Sequence, residues 1–189
     1  MHRWWRLLVA LALAALIPVL MGQASLQTVV PLDTSQKSQT RHGLDGTYVI
    51  DPKASDAIDA AIDTTVKPMS FIIRGVARGR LKKSNPLFQS IAIGRSEGAL
   101  VVTTDNLPIR APGSGLPVTW VRPTDGESFR VSHVQRGDKL VQTFVAKDGK
   151  RVNTLSLGPD GNTLNMDVQI TSPRLPKPLE YRLVFKRER

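Results

Sequence analysis

The sequence contains no cysteine, and that absence removes two kinds of protein at once. No disulfide framework and no thiolate metal site can form, so the chain must be held together by a core of its own. A lipid-anchored cysteine is excluded for the same reason. Histidine is nearly as scarce, with only His2, His42 and His133. A metal could find no more than a mixed site of histidine and carboxylate here. Aromatic residues make up 5% of the chain. They are not interleaved with the basic residues as the stacking platforms of single-strand nucleic-acid binders require. Long apolar runs are also missing. The stretch Leu7 to Met21 is interrupted by Pro18 and is shorter than the roughly 20 residues that a bilayer-spanning helix needs.

What is present begins with a leader. Arg3 and Arg6 precede that apolar stretch, and Gly22, Gln23 and Ala24 follow it with small residues at the places a signal peptidase reads. We expect residues 1–24 to be a signal peptide cut before Ser25, with an uncleaved anchor as the other reading. The mature chain is then exported, and the lack of disulfides favours a bacterial envelope, periplasmic or secreted. Residues 25–45 are polar and aperiodic and are read as a mobile lead-in. Residues 46–187 are of a length for one domain. Net charge is +10, with the basic residues scattered. Anionic lipid, an anionic ligand or an envelope protein suits such a surface, and nucleic acid does not.

Gly46 to Ile50 reads as a short strand closed by Asp51-Pro52. Ala54 to Val66 reads as a helix, with Ile58, Ile62 and Val66 on one face and Asp51 or Ser55 as its cap. Met69 to Leu81 is ambiguous. Its apolar spacing favours a second helix, although Gly75 and Gly79 each weaken it by about 1 kcal/mol relative to alanine. From Leu87 the rhythm changes. Gly126, Gly137, Gly149 and Gly161 recur every eleven or twelve residues, the step of a hairpin meander. Between these turns the side chains alternate. Leu164, Met166, Val168 and Ile170 share one face, as do Phe129, Val131 and His133, and Tyr181, Leu183 and Phe185. Period two with one wet face marks an antiparallel sheet buried on one side. The predicted fold class is mainly β, an up-and-down antiparallel barrel of eight to ten strands. A one- or two-helix insertion follows its first strand, and the last strand returns to pair with the first.

This order resembles the lipocalin and fatty-acid-binding-protein (calycin) superfamily. The resemblance is carried by Gly46-Thr47-Tyr48 at the first strand, the helical insertion, the late hairpin Leu155 to Leu164 and the ending Leu175 to Arg187. It implies a bacterial secreted lipocalin-like protein with a small apolar or amphipathic ligand in its interior. The sequence departs from that pattern at two places. Tyr48 stands where lipocalins carry tryptophan. In the last strand Tyr181 and Arg182 are neighbours, so they point to opposite faces and cannot clasp one headgroup together. The haem-binding relatives need a late histidine, and none follows His133.

Catalytic signals are weak. Gly113-Ser114-Gly115 lacks the strand–turn–helix setting of a nucleophile elbow. Asp56, Asp59 and Asp63 are splayed by helical spacing and read as a solvated face rather than a calcium site. We expect no enzyme, no cofactor and no metal. Candidate ligand-lining residues are Trp120, Phe129, Val131, His133, Leu140, Phe144, Met166 and Tyr181 inside the barrel, with Phe71, Ile72 and Val76 over its mouth. Arg74, Arg78 and Arg80 near that mouth suit an anionic headgroup. The alternative is that these residues fill a packed core, and that the chain is a structural module meeting protein or lipid surfaces of the envelope.

Overall fold

The computed structural model describes residues 43–188. The expected signal peptide and nearly all of the expected lead-in, His42 included, lie outside the described residues. Ten strands and two helices follow one another: β1 (Gly46–Ile50), α1 (Ile58–Val66), α2 (Phe71–Ser84), β2 (Ser90–Ser96), β3 (Ala99–Thr104), β4 (Leu107–Ala111), β5 (Val118–Val121), β6 (Ser128–Arg136), β7 (Lys139–Ala146), β8 (Gly149–Leu157), β9 (Thr163–Thr171) and β10 (Leu179–Arg187). All ten strands join one antiparallel sheet in the order β4-β3-β2-β1-β10-β9-β8-β7-β6-β5. The meander is thus closed at its chain ends, where Tyr48 pairs with Arg187 and Ile50 with Phe185. The seam falls between β4 and β5 instead. It is drawn together by a single bridge between Ser114 and Val134 and by the Gln135 N–H donating to the Gly113 carbonyl at 3.2 Å. The result is the expected mainly β barrel, nearly closed, with two helices after its first strand.

The glycine turns work in two ways. The β6–β7 turn is made by Gly137 and Asp138, and Gly137 takes φ +57°, where a side chain is strained. Gly149 follows Asp148 in an Asp-Gly pair of the kind that favours a left-handed glycine, yet it has no positive φ. A Cβ there would lie 2.8 Å from the Thr171 carbonyl oxygen, so this glycine is required by the close approach of β9. Turn chemistry and strand packing give the same residue in the sequence for different reasons.

The core lies inside the sheet. Tyr48, Ile91, Leu100, Leu155, Met166 and Phe185 are all closed off from solvent, and Leu44, just before β1, is buried with them. The Tyr48 hydroxyl donates to the Leu44 carbonyl at 2.8 Å, so the chain enters the core before the first strand begins.

The first helix is shorter than the sequence suggests. Asp51 and Ser55 do not cap it, because both are engaged elsewhere. Asp51 Oδ1 accepts from the backbone N–H groups of Lys53 and Ala54. The Ser55 hydroxyl receives the Val184 N–H of β10 at 2.9 Å. Asp56 Oδ2 likewise takes the Arg182 N–H at 2.7 Å. The segment before α1 is thereby laced to the last strand rather than wound into helix. Ile62 and Val66 of α1 are buried and Ile58 packs against the core, as their spacing requires. Helix α2 exists as predicted but buries none of its residues fully. Two exposed ion pairs hold it to α1, Arg78–Asp63 and Lys82–Asp59, each at 2.7 Å. Among the described residues no helix is long and apolar enough to cross a membrane.

Candidate functional site

Strand register converts the alternation into rows of side chains across the inner wall. His133 pairs with Gln142, Gln142 with Asn153, Asn153 with Val168 and Val168 with Tyr181. One row towards the other end of these strands, Val131 pairs with Phe144, Phe144 with Arg151 and Arg151 with Ile170. The inward positions of the ten strands hold Arg95, Arg151 and Arg187 as cations, but no aspartate or glutamate. A continuous polar row crossing the inside of an otherwise apolar barrel must find its hydrogen bonds within itself.

It does so, with one exception. His133 Nδ1 meets the Leu100 carbonyl at 3.2 Å, and its Nε2 meets Gln142 Nε2 at 3.0 Å. Asn153 Nδ2 donates to Gln142 Oε1 at 3.0 Å, and Arg151 Nε donates to Asn153 Oδ1 at 2.8 Å. Arg151 Nη1 and the Tyr181 hydroxyl both donate to Asn85 Oδ1, at 3.1 and 3.2 Å, just beyond the C-terminus of α2. The exception is Arg151 Nη2. It is shut off from solvent and has no hydrogen-bond partner, the one such side-chain nitrogen or oxygen among the described residues.

No carboxylate answers this guanidinium. Burial pushes it down from the usual arginine range, and the Tyr181 hydroxyl beside it pulls it back. It nevertheless keeps its charge, because an arginine side chain does not lose its proton in proteins. Burial also raises the Tyr181 hydroxyl, and Arg151 partly offsets that. A charged donor left unmade costs on the order of 1–3 kcal/mol or more. The nearby Arg122 shows the ordinary solution. It pairs with Asp125 and Glu127 and lays its guanidinium 5.0 Å from the centre of the Phe129 ring.

Around Arg151 the inward residues are aromatic and only half-buried. Phe88 lies under its guanidinium, 5.5 Å from ring centre to Cζ. Phe144 adjoins it in register. Trp120, Phe129 and Phe144 form a triangle with centroid separations of 5.8, 6.2 and 6.1 Å, two of its contacts edge-to-face. These separations fall in the favourable range for aromatic pairs. The chemistry offered is a cationic donor with a free N–H, a hydroxyl and an amide beside an aromatic wall.

Of the residues singled out from the sequence, Trp120, Phe129, Phe144 and Tyr181 come together here with Arg151. His133 stands in the polar row, and Val131 is a fully buried neighbour of Phe144. Leu140 and Met166 lie in the closed part of the core. Phe71, Ile72 and Val76 face solvent at 87%, 80% and 55% exposure, because α2 turns only Ala77 and Leu81 inward. Arg151, Asn85, Phe88, Gln142 and Asn153 escaped the sequence reading. The signal for two of them was in the strand itself. Arg151 and Asn153 share parity with Leu155 and Leu157, which places all four on the inner face. Two open clefts, of about 490 and 530 Å³, lie outside the sheet. One runs along α1 beside Lys177 and Pro178, the other over the outward residues of β8, β9 and β10.

No protein-family model matches the chain. No curated protein matches it either. Among solved structures it is similar to fatty-acid-binding protein 1 of Echinococcus granulosus, at 10% identity and a TM-score of 0.49, over 77% of this chain and 98% of that one. It is similar to human cRBP IV at 14% identity and 0.48, over 77% and 98%. A Schistosoma mansoni fatty acid binding protein in complex with arachidonic acid follows at 15% and 0.47, over 77% and 96%. The nearly closed ten-strand sheet with its helical insertion rests on the strand pairing of this chain itself.

Proposed function

We propose that this chain is an exported binding protein for a small amphipathic anion. Its headgroup is held by Arg151 and its apolar part lies along Phe88, Phe144, Phe129 and Trp120. The observation that carries this reading is the free Nη2 of Arg151, a buried cationic donor with no acid to answer it. An anionic oxygen there would complete the charge-assisted pair that the fold leaves open. Tyr181 and Asn85 stand where they can share such a headgroup. The adjoining aromatic corner is the half-buried part of the inner wall, so a ligand tail can lie there without displacing the packed core of β1, β2, β3, β9 and β10.

The test is headgroup discrimination. A fluorescent fatty acid and its methyl ester are titrated into the purified protein and into Arg151→Met. A charge-assisted bond of about 1.5–3 kcal/mol corresponds to roughly 10- to 100-fold preference for the acid, abolished in the variant. Equal affinity for acid and ester in the unaltered protein would dismiss the reading.

A second reading is favoured by α2. Phe71, Ile72, Ile73 and Val76 are exposed at 55–87%. The same helix carries Arg74, Arg78, Arg80, Lys82 and Lys83 and no acid. An apolar and basic helix of this kind suits an anionic lipid surface, where apolar side chains enter the headgroup layer and the cations stay with the phosphates. Adsorption to such a surface is the surface-module alternative to a carrier, and it stands or falls independently of Arg151.

A further inference from the structure

Three side chains that ligand contact leaves unused connect Arg151 to the opposite wall of the barrel, and their hydrogen bonds have a fixed direction. A backbone carbonyl can only accept, so His133 Nδ1 must carry the proton it gives to Leu100. In a neutral ring Nε2 is then the acceptor, and Gln142 must present its NH₂ to it. Gln142 therefore turns its Oε1 to Asn153 Nδ2, and Asn153 turns its Oδ1 to Arg151 Nε. Arginine can only donate. The relay is pinned at both ends by groups that cannot reverse, and it is satisfied in one protonation state of His133.

Suppose the ring gains a proton at Nε2 from solvent. Nε2 then needs an acceptor, and Gln142 supplies one only by rotating its amide. Its NH₂ then confronts Asn153 Nδ2. If Asn153 rotates in turn, its own NH₂ confronts Arg151 Nε. The donor–donor conflict cannot be lost along the way. It arrives at the guanidinium. We propose that His133 governs the anion site: with a neutral ring the relay holds Arg151 in place to bind, and protonation of the ring turns Arg151 out of position and releases the ligand in acid. This inference rests on the ligand reading given above.

The surroundings of His133 hold backbone acceptors but no acid to answer the proton's charge. It is fully buried. The Leu100 carbonyl faces it from β3, the Ala111 backbone from β4 and Gln142 from β7. The charged and titratable groups on the inner wall nearby are Arg95 of β2, bonded to Gln135, Arg151 of β8 and Tyr181 of β10. None is an acid. Burial accordingly holds the imidazole below its usual range, so the neutral form is the resting one. By linkage, an anion on Arg151 favours the neutral ring further.

A fluorescent alkyl sulfonate tests this, because its headgroup stays ionised throughout. Its affinity is measured from about pH 7.5 to about pH 5 for the unaltered protein and for His133→Gln, with circular dichroism at each pH. Glutamine can donate to Leu100 and accept from Gln142, but it does not titrate. We expect the unaltered protein to lose about tenfold or more in affinity, some 1.4 kcal/mol, and His133→Gln to lose less than about twofold. Equal losses in both proteins, or none in either, overturn the inference while leaving the ligand reading intact. Absence of sulfonate binding at pH 7.5 overturns the ligand reading itself. Should His133→Gln not fold, Gln142→Glu decides. Its carboxylate accepts from a protonated ring and from Asn153 together, so no donor–donor conflict reaches Arg151 and the loss of affinity in acid must disappear; an unchanged acid release overturns the proposal.

Discussion

The guanidinium of Arg187 lies over the ring of Tyr48, 4.7 Å from its centre, at the point where the last strand closes on the first. The same guanidinium donates to the carbonyls of Asp45, Gly43 and Gly161, at 2.7, 2.8 and 3.3 Å. One side chain therefore fastens the entry of the chain, the first strand and the β8–β9 turn together. Replacing it with methionine keeps the apolar stem and removes the stacking and the donors. We expect Arg187→Met to cost about 2–4 kcal/mol, from a desolvated cation–π contact and hydrogen bonds of about 1 kcal/mol each. Urea unfolding followed by circular dichroism measures it, and a loss under about 1 kcal/mol would mean that the closure is held elsewhere.

Gly46 belongs to the same corner. Its φ is +148°, and a Cβ placed on it would fall 2.3 Å from Arg187 Nη1. The arginine tip can move, but only by leaving the Tyr48 ring. Gly46→Ala should therefore destabilise by about 1–3 kcal/mol from backbone strain and lose part of the stacking as well. Because both changes act through one contact, the double variant Gly46→Ala/Arg187→Met should be less destabilised than the sum of the two. Full additivity in a double-mutant cycle would separate the glycine from the closure.

The stability of the protein should fall in mild acid because of His133. Burial lowers its folded-state pKa beneath the usual 6.5. The unfolded chain then binds more protons than the folded one as soon as the pH drops below that value. The neutral histidine's full contribution is present above about pH 6.5 and is lost as pH falls towards and through the folded-state value, with a slope of at most about 1.4 kcal/mol per pH unit. His133→Gln should flatten this slope between neutral pH and about pH 5. Parallel slopes in the two proteins, from unfolding midpoints at several pH values, would assign the acid sensitivity to other groups.

The barrel was legible because two independent signals agreed. Glycine turns set the strand lengths, and residues such as Leu164, Met166, Val168 and Ile170 set the buried face. The presence of α2 was legible from Ile72, Ile73 and Val76, but its depth was not. Helical spacing shows that apolar residues share a side, and it does not show whether anything covers them. Arg151 was missed because an arginine or asparagine within a strand is read as marking the wet face. Parity with Leu155 contradicts that, yet only the pairing of Arg151 with Phe144 and of Asn153 with Gln142 shows that the polar residues of three strands form one row. Ser55 does not act as a helix cap because its partner, Val184 of β10, is distant in sequence, and Asp51 does not because its carboxylate closes a local turn at Lys53 and Ala54.

Helix α2 supplies the prediction for lipid surfaces. Its two ion pairs to α1 have side chains 39–66% exposed, so each contributes at most about 1 kcal/mol and loosens with salt. The helix should attach to vesicles containing anionic lipid, and Phe71→Ser/Ile72→Ser should remove most of that attachment without changing the unfolding midpoint appreciably, since neither side chain is buried. Vesicle sedimentation at low and moderate salt measures both terms. Undiminished attachment of the double variant would remove α2 from the lipid-surface reading.

Trp120 supplies a readout of the ligand site that depends on the fate of the leader. The chain has three tryptophans, Trp4, Trp5 and Trp120. If the leader is cut before Ser25, only Trp120 survives, and intact-mass measurement of exported protein establishes the cut. In that processed form all tryptophan emission arises 5.8 Å from Phe129 and 6.2 Å from Phe144, whose strand neighbour is Arg151. A bound amphiphile displaces water from this half-buried ring, so emission should move to shorter wavelength and saturate with ligand. Arg151→Met should need roughly 10- to 100-fold more ligand for the same shift. Trp120→Phe should bind with little change while losing the signal, because phenylalanine keeps most of the aromatic wall. A ligand that binds tightly without moving the emission would lie elsewhere in the molecule, and the outer clefts along α1 and β8 to β10 would then become the places to look.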